Sequence, residues 1–302
     1  MIRGMVTATG GGGYSVLLDE GEEVQAVLRG RLKLEARVGD RVVIGDRVLV
    51  VPVEAGAGEK GWAVERVEPR ASQIVRRGPT DRRPKVIAAN VDRMLAVVAA
   101  RDPEPRLEQL DRLLVIAEAN GIRPVILVNK TDLPGADAFV DRIRKTYREA
   151  GYRVVAVSAE SGRGLEELRG LLGTGTSALV GASGVGKSSL LNALAPELEL
   201  RTGELSRKVR RGRHTTVRAR LIRLPSGGLV ADTPGFGDVG VWGVSADEVE
   251  GCFPEVVQRR EGCRFRGCAH VTEPGCAVLA AVEAGEVPES RWGSYVALRE
   301  GV

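Results

Sequence analysis

The order of two short motifs constrains this chain more than anything in its composition. Gly181-Ala182-Ser183-Gly184-Val185-Gly186-Lys187-Ser188 has the glycine spacing and the closing lysine and hydroxyl of a phosphate-binding loop. It lies C-terminal to Asn129-Lys130-Thr131-Asp132, a tetrad suited to reading guanine. In a nucleotide domain of ordinary order the phosphate loop comes first. Both motifs are intact, so the order implies a circularly permuted domain.

The residue types explain the chemistry. The loop glycines let backbone N–H groups wrap phosphate oxygens, Lys187 reaches the β and γ oxygens, and the Ser188 hydroxyl, with Ser189 beside it, faces a magnesium ion. The loop by itself does not separate ATP from GTP. Asp132 does, because a carboxylate that accepts from the guanine ring N–H and its exocyclic amine is left unpaired by adenine, at about 1–3 kcal/mol for each unmet group. Lys130 would lie along the base, Asn129 would tie this loop to the phosphate loop, and the backbone of Ser158-Ala159-Glu160 would meet the guanine oxygen. Asp232-Thr233-Pro234-Gly235 completes the set, with Asp232 holding magnesium through water and the Gly235 amide sensing the γ-phosphate. Between these lies His214-Thr215-Thr216, whose Thr216 is expected to close the magnesium shell. Phe236 stands where many GTPases carry a water-orienting glutamine, so His214 is the candidate catalytic residue.

The wider chain divides into three segments, 1–69, 70–239 and 240–302. The first has short alternating runs broken by glycine: Tyr14 to Leu18, Val24 to Leu28, Asp40 to Ile44, Arg47 to Val51 and Trp62 to Val67. They predict an all-β barrel of the OB type, with Gly10 to Gly13 as a hairpin loop. The second alternates strands (Met94 to Ala99, Val125 to Val128, Val154 to Val157, Ala178 to Val180) with helices, which predicts an α/β domain built on a mainly parallel sheet. The third is poor in strand signal and holds all four cysteines, and it is short enough to need a staple. Cys263, Cys268, His270 and Cys276 supply three thiolates and an imidazole, a set suited to closed tetrahedral structural zinc, while Cys252 is left over as a small apolar residue.

With 302 residues, 43% of them hydrophobic, and a formal charge of +4, the chain is sized for several cores and is mildly basic. The basic run Arg207-Lys208-Val209-Arg210-Arg211-Gly212-Arg213 is as readily a solvated loop as an RNA surface. No apolar run approaches a membrane span and no signal-like start is evident, so a cytoplasmic protein without a membrane partner is expected. Nothing demands a dimer, and a monomer is expected. Only 4% of residues are aromatic, which disfavours base stacking as the main term in any RNA contact.

Taken with Leu28-Arg29-Gly30-Arg31-Leu32-Lys33, Ile87-Ala88-Ala89-Asn90-Val91-Asp92 and Gly212-Arg213-His214-Thr215-Thr216, these motifs resemble the RsgA (YjeQ) family of circularly permuted GTPases of bacterial small-subunit biogenesis. The resemblance spans nearly the whole chain. It implies an OB-fold, a permuted GTPase and a C-terminal zinc domain, GTP hydrolysis to GDP and phosphate stimulated by a late 30S ribosomal subunit, contact with 16S rRNA, and a catalytic role for His214. Val217 departs from the third threonine of many members, and an extended tail beyond Tyr295 is expected to be absent or short. A GTP-regulated RNA-binding module with negligible catalysis is the alternative, while an ATPase or metabolic kinase conflicts with Asp132.

Overall fold

The computed structural model describes residues 1–10, 12–30, 32, 42–55, 59–76, 85–198, 220–232 and 244–301. They fall into two compact units that do not follow chain order. One gathers Met1–Arg93, Arg169–Leu179 and two strands that come after the basic run; the other gathers Met94–Leu168, the phosphate loop with its helix, and the C-terminal helices.

The first unit begins with a closed five-stranded barrel: β1 (Ile2–Gly10), β2 (Gly13–Leu18), β3 (Glu23–Leu28), β4 (Arg47–Ala55) and β5 (Glu59–Val67). Their order is β1-β2-β3-β5-β4, and pairing of β1 with β4 closes the ring. The parallel β3–β5 pair amid antiparallel neighbours is the OB topology. Strict alternation along β3 turns Val24, Ala26 and Leu28 inward, where they meet Val6, Val16, Val48, Val50 and Val64.

Two strand expectations need correction. The first strand is Ile2–Gly10, which the alternation test passes over because Gly4 interrupts it; a Cβ at Gly4 would overlap the Leu17 carbonyl of the neighbouring strand. Of the Asp40 to Ile44 run, Val42 and Val43 lie outside any strand and Ile44 makes only an isolated bridge to Ala88. The Val43 amide donates instead to the buried Asp46 carboxylate at 2.8 Å, which holds the chain in a turn.

That turn is the centre of a polar junction. Asp46 takes the Arg70 guanidinium on both oxygens, at 2.7 and 3.0 Å. Asn90, in the left-handed region at φ 52°, accepts from the Ala71 amide and donates to the Gly45 carbonyl. A Cβ at Gly45 would overlap the Ala89 carbonyl, so only glycine allows this approach. The junction ties the barrel to the hairpin β6 (Gln73–Arg76) and β7 (Lys85–Ala89).

Strands and helices then alternate: β8 (Arg93–Ala99), α1 (Leu107–Ala119), β9 (Arg123–Asn129), α2 (Ala136–Thr146), β10 (Arg153–Ala156), α3 (Leu165–Leu172), β11 (Thr176–Val180) and α4 (Lys187–Leu194). Leu110, Leu113, Leu114 and Ala117 give α1 a buried stripe at helical spacing, and the helix ends before Gly121 at φ 63°. In the second unit the strand order is β10-β9-β8, with β10 parallel to β9. In the first, β11 runs parallel to β13 (Leu229–Asp232), which pairs antiparallel with β12 (Arg220–Arg223). β12 in turn meets β1 of the barrel at Ala8↔Arg220.

The C-terminal segment is helical among the described residues: α5 (Ala246–Gly251), α6 (Pro254–Val257), α7 (Ala277–Glu283) and α8 (Glu289–Glu300). A Ser245–Glu248 capping box starts α5 and Pro254 starts α6. Phe253, Val256, Val278, Tyr295 and Leu298 form its core together with Val115 of α1. Beside that core Arg291, 1% exposed, donates to Asp111 of α1 at 2.7 Å and to Glu255 of α6 at 2.6 Å, and Tyr147 also donates to Asp111. The Phe253 ring lies 4.4 Å from the guanidinium carbon. Burial opposes the Arg291 charge, but Asp111 and Glu255 outweigh it and hold the guanidinium protonated. Arg291→Ala would leave two carboxylates buried without their cation, so we expect a loss of about 3–5 kcal/mol in unfolding free energy, measurable by urea titration.

Candidate functional site

β11 delivers the chain into the phosphate loop, and three glycines shape it. Gly181, Gly184 and Gly186 have φ of 153°, 86° and 95°. A Cβ at Gly181 would overlap the Val97 carbonyl, and one at Gly186 would overlap the Asn129 side-chain amide. Gly186 is the N-cap of α4, so Lys187, Ser188 and Ser189 occupy its first turn, where the unsatisfied amides and the helix dipole favour an anion. The Lys187 ammonium donates to the Gly181 and Ala182 carbonyls, both at 2.8 Å, and so reaches back over the loop that includes Ser183 and Val185.

The tetrad begins on the last residue of β9. Asn129 is buried, and its amide donates to the Val185 carbonyl at 2.8 Å while its backbone carbonyl accepts from Ala100. Lys130 adopts φ 62° and its ammonium donates to the Asp102 carbonyl in the loop after β8. Thr131 anchors the turn through its hydroxyl on the Val157 carbonyl at 2.8 Å. Asp132, exposed at the surface, accepts from the Ser158 hydroxyl, whose oxygen in turn accepts from the Glu160 and Ser161 amides. The structure thus gathers Asn129, Lys130, Asp132, Ser158, Ala159 and the loop Gly181–Ser188 in one unit, at the carboxyl ends of β9 and β10 and before α4. Sequence reasoning does not reach Asp102, since a backbone carbonyl acceptor leaves no side-chain signature, and it names Thr131 within the tetrad without giving it the contact to Val157.

Asp232 ends β13, whose register Ala178↔Ala231 places it beside the end of β11. His214, Thr216 and Gly235, with Thr215, Phe236 and the 207–213 basic run, lie outside the described residues.

In the C-terminal segment the ligand atoms of Cys263, Cys268, His270 and Cys276 lie within 4.8 Å of one another, a group that could hold a metal ion. His270 Nδ1 stands 3.5 Å from the Cys263 sulfur and 3.3 Å from that of Cys276, and these two sulfurs are 3.8 Å apart. Burial lowers the His270 pKa against the pull of Glu250 and Glu273, which favours the neutral imidazole that ligation needs. Burial also pushes the Cys268 thiol up to about 12. A thiolate there calls for a cation.

The cluster is propped from outside. The Ala277 and Leu279 amides donate to the Cys263 and Cys276 sulfurs, and Trp292 Nε1 and the Tyr295 hydroxyl donate to the His270 and Ala269 carbonyls. Glu273 accepts from the Ala269, Val271 and Thr272 amides, and these bonds, that from Ala269 foremost, hold its carboxyl down to about 2. That support is complete above the ordinary carboxylate value of 4.5 and is lost as pH falls toward 2. Cys252 is buried in the neighbouring core and donates to the Glu248 carbonyl, and burial pushes its thiol up to about 11.

The family model described as the RsgA GTPase matches residues 67–242. The chain belongs to the RsgA GTPase family. It is 46% identical to the small ribosomal subunit biogenesis GTPase RsgA of Gemmatimonas aurantiaca, over 98% of this chain and 96% of that one, and 44% identical to the protein of the same name from Moorella thermoacetica, over 94% and 92%. Among solved structures it is similar to YjeQ from Thermotoga maritima, with TM-score 0.82, 34% identity, and coverage of 99% of this chain and 98% of that chain. It is also similar to YloQ, described as a circularly permuted GTPase, with TM-score 0.76, 30% identity, and 100% and 94% coverage. Membership makes the chain a GTP hydrolase of permuted order, with an N-terminal barrel and a C-terminal Cys/His cluster.

Within this family site, the contact of Asn129 with Val185 needs a residue without a side chain at 186. Gly186→Ala should lower GDP affinity at least about tenfold while the urea midpoint stays close to that of the parent protein, as titration calorimetry and unfolding curves would register.

Proposed function

We propose that the chain is a cytoplasmic, monomeric GTPase that binds the late-stage 30S ribosomal subunit through its 16S rRNA and hydrolyses GTP to GDP and phosphate during small-subunit maturation, with hydrolysis stimulated by the subunit. Segments 1–69, 70–239 and 240–302 act as RNA-binding barrel, permuted GTPase and zinc domain. The nucleotide half of the reading rests on the Asn129–Val185 hydrogen bond, which sets the guanine tetrad at a fixed distance from the phosphate loop. The subunit half rests on similarity to relatives named small ribosomal subunit biogenesis GTPase. No helix among the described residues is long and apolar enough to cross a membrane.

In this reading Asp132 accepts from both guanine donors while the Ser158 hydroxyl holds its carboxylate in place. Lys130 lies along the base and the Ala159 backbone meets its carbonyl oxygen. The amides of 181–189 receive the phosphates, and Lys187 exchanges its two carbonyl partners for β and γ oxygens. Ser188, Thr216 and Asp232 would hold magnesium, which when bound neutralises charge on those oxygens. The Gly235 amide senses the γ-phosphate, and His214 orients the attacking water that Phe236 cannot. The alternative, a GTP-regulated RNA-binding module, is disfavoured by membership in a GTPase family.

Zinc suits the cysteine cluster. Tetrahedral bonds of about 2.3 Å to sulfur and about 2.0 Å to nitrogen give edges of about 3.8 Å between sulfurs and about 3.5 Å between sulfur and nitrogen. The separations found are 3.8 Å, and 3.5 and 3.3 Å. Zinc held by Cys263, Cys268, His270 and Cys276 would cross-link the segment, and with four protein ligands no open position remains for catalysis. Metal analysis should return one zinc per chain, and Cys276→Ser or a strong chelator should unfold α7 and α8, seen as lost helical circular dichroism.

The decisive experiment measures phosphate release with and without isolated 30S subunits, with GTP and ATP in competition. Stimulation specific to GTP is expected, and His214→Ala should lower the stimulated rate by about 10²–10⁴-fold with GDP binding retained. Asp132→Asn should move base preference toward xanthine. No stimulation by subunits, or equal use of ATP, would sink the reading.

A further inference from the structure

The loop between the first two cysteines of the cluster, Cys263-Arg264-Phe265-Arg266-Gly267-Cys268, carries an aromatic ring that the core does not take up. Phe265 is 47% exposed, and among the described residues only Met1 and Val27 are other large apolar side chains left so open. Both neighbours, Arg264 and Arg266, are exposed and make no ion pair with another described residue. The Arg264 guanidinium lies over the ring, 5.4 Å from its centroid. In the groove alongside, Arg260 is engaged by Glu250 at 3.0 Å, which leaves Arg264 and Arg266 against the single carboxylate of Glu261.

The platform is fixed by its surroundings. Cluster cysteines bracket the loop, the Arg264 amide donates to the Gly275 carbonyl at 3.0 Å, and the Arg264 stem lies so near Gly275 that a Cβ there would come within 3.1 Å of it. A loop held at Arg264 in this way keeps the backbone that carries the ring in place when something stacks on it. The candidate partner must have a flat π-face and negative charge on either side of it. An unpaired nucleotide meets both conditions; a duplex buries its faces in its own stack, and an acidic peptide offers charge without a face.

We propose that Arg264-Phe265-Arg266 is a stacking site for one unpaired RNA base, with the two guanidiniums on the flanking phosphates. This rests on the reading of the chain as an RNA-particle GTPase and adds the chemistry of one contact. Low aromatic content makes stacking a minor expectation for the whole chain, and this residue is the local exception.

The test uses the full chain with its metal content verified, a short single-stranded oligoribonucleotide labelled with 2-aminopurine, and a duplex of the same sequence. Phe265→Ala and the bulkier control Phe265→Leu should each weaken single-strand binding about tenfold, and Phe265→Trp should retain it along with 2-aminopurine quenching. Duplex binding should not respond to any of the three. Replacing Arg264 and Arg266 together by alanine should lower the slope of log K against log salt by about 1–2. Wild-type affinity in Phe265→Leu, equal losses on duplex and single strand, or absence of binding by the parent protein would each overturn the site. So would weakened binding to 30S subunits with oligonucleotide binding unchanged, which would assign the ring to a protein partner. Subunit-stimulated hydrolysis by the parent protein is read in parallel: if it is present while Phe265 proves silent, this proposal alone fails, and if it is missing, the functional reading fails with it.

Discussion

One hydrogen bond, from the Asn129 amide to the Val185 carbonyl, sets the spacing on which the nucleotide site depends. Its net energy, about 0.5–1.5 kcal/mol, is ordinary; its geometric role is larger. It joins the last residue of β9 to the loop after β11, and so sets Lys130 and Asp132 on one side against Lys187 and the loop amides on the other. The surrounding sequence serves this contact. Gly186 is glycine because a Cβ would occupy the position of the amide, and Gly181 is glycine because Val97 approaches from the other side. The Ala100 amide holds the Asn129 backbone from a third direction. Mutual geometry of this kind survives a change in where the chain begins, since it is made between strands rather than between ends.

Permutation places the C-terminal segment after β13 in sequence, yet the core of that segment and its buried Arg291 are built against α1, the helix after β8. The Cys/His cluster therefore belongs to the same unit as the Asn129–Asp132 tetrad. The barrel is fastened elsewhere: β1 pairs with β12, and the Asp46, Arg70 and Asn90 junction binds the barrel to the β6–β7 hairpin. Arg291 is costly to bury and is tolerated because two carboxylates and an aromatic face receive it.

Much of this is legible in the residues, and the exceptions have physical causes. β8 and β11 read clearly because buried parallel strands are continuous apolar runs. β1 escapes the pattern because Gly4, required by the close approach of Leu17, breaks its alternation. Val42 and Val43 look like strand, but the Asp46 carboxylate competes successfully for the Val43 amide. β6, β7 and β12 are four or five residues long, too short for any period to show. The four members of the Cys/His cluster are visible as cysteine and histidine, whereas Trp292, Tyr295 and Glu273, which hold the backbone around them, look like ordinary surface or core residues.

The sequence by itself determined the chemical repertoire: a glycine-rich loop closing on Lys187 and Ser188, a tetrad ending in the Asp132 carboxylate, three thiols and an imidazole at short spacing, and the permuted order in which they occur. Those are properties of residue type at short spacing, fixed within a single turn. Tertiary structure alone decided that Asn129 meets Val185, that Lys130 reaches Asp102, and that Arg291 finds Asp111 across 180 residues. Such partners depend on how separate strands and helices align, and alignment is set by the packing of whole surfaces, which no local pattern records.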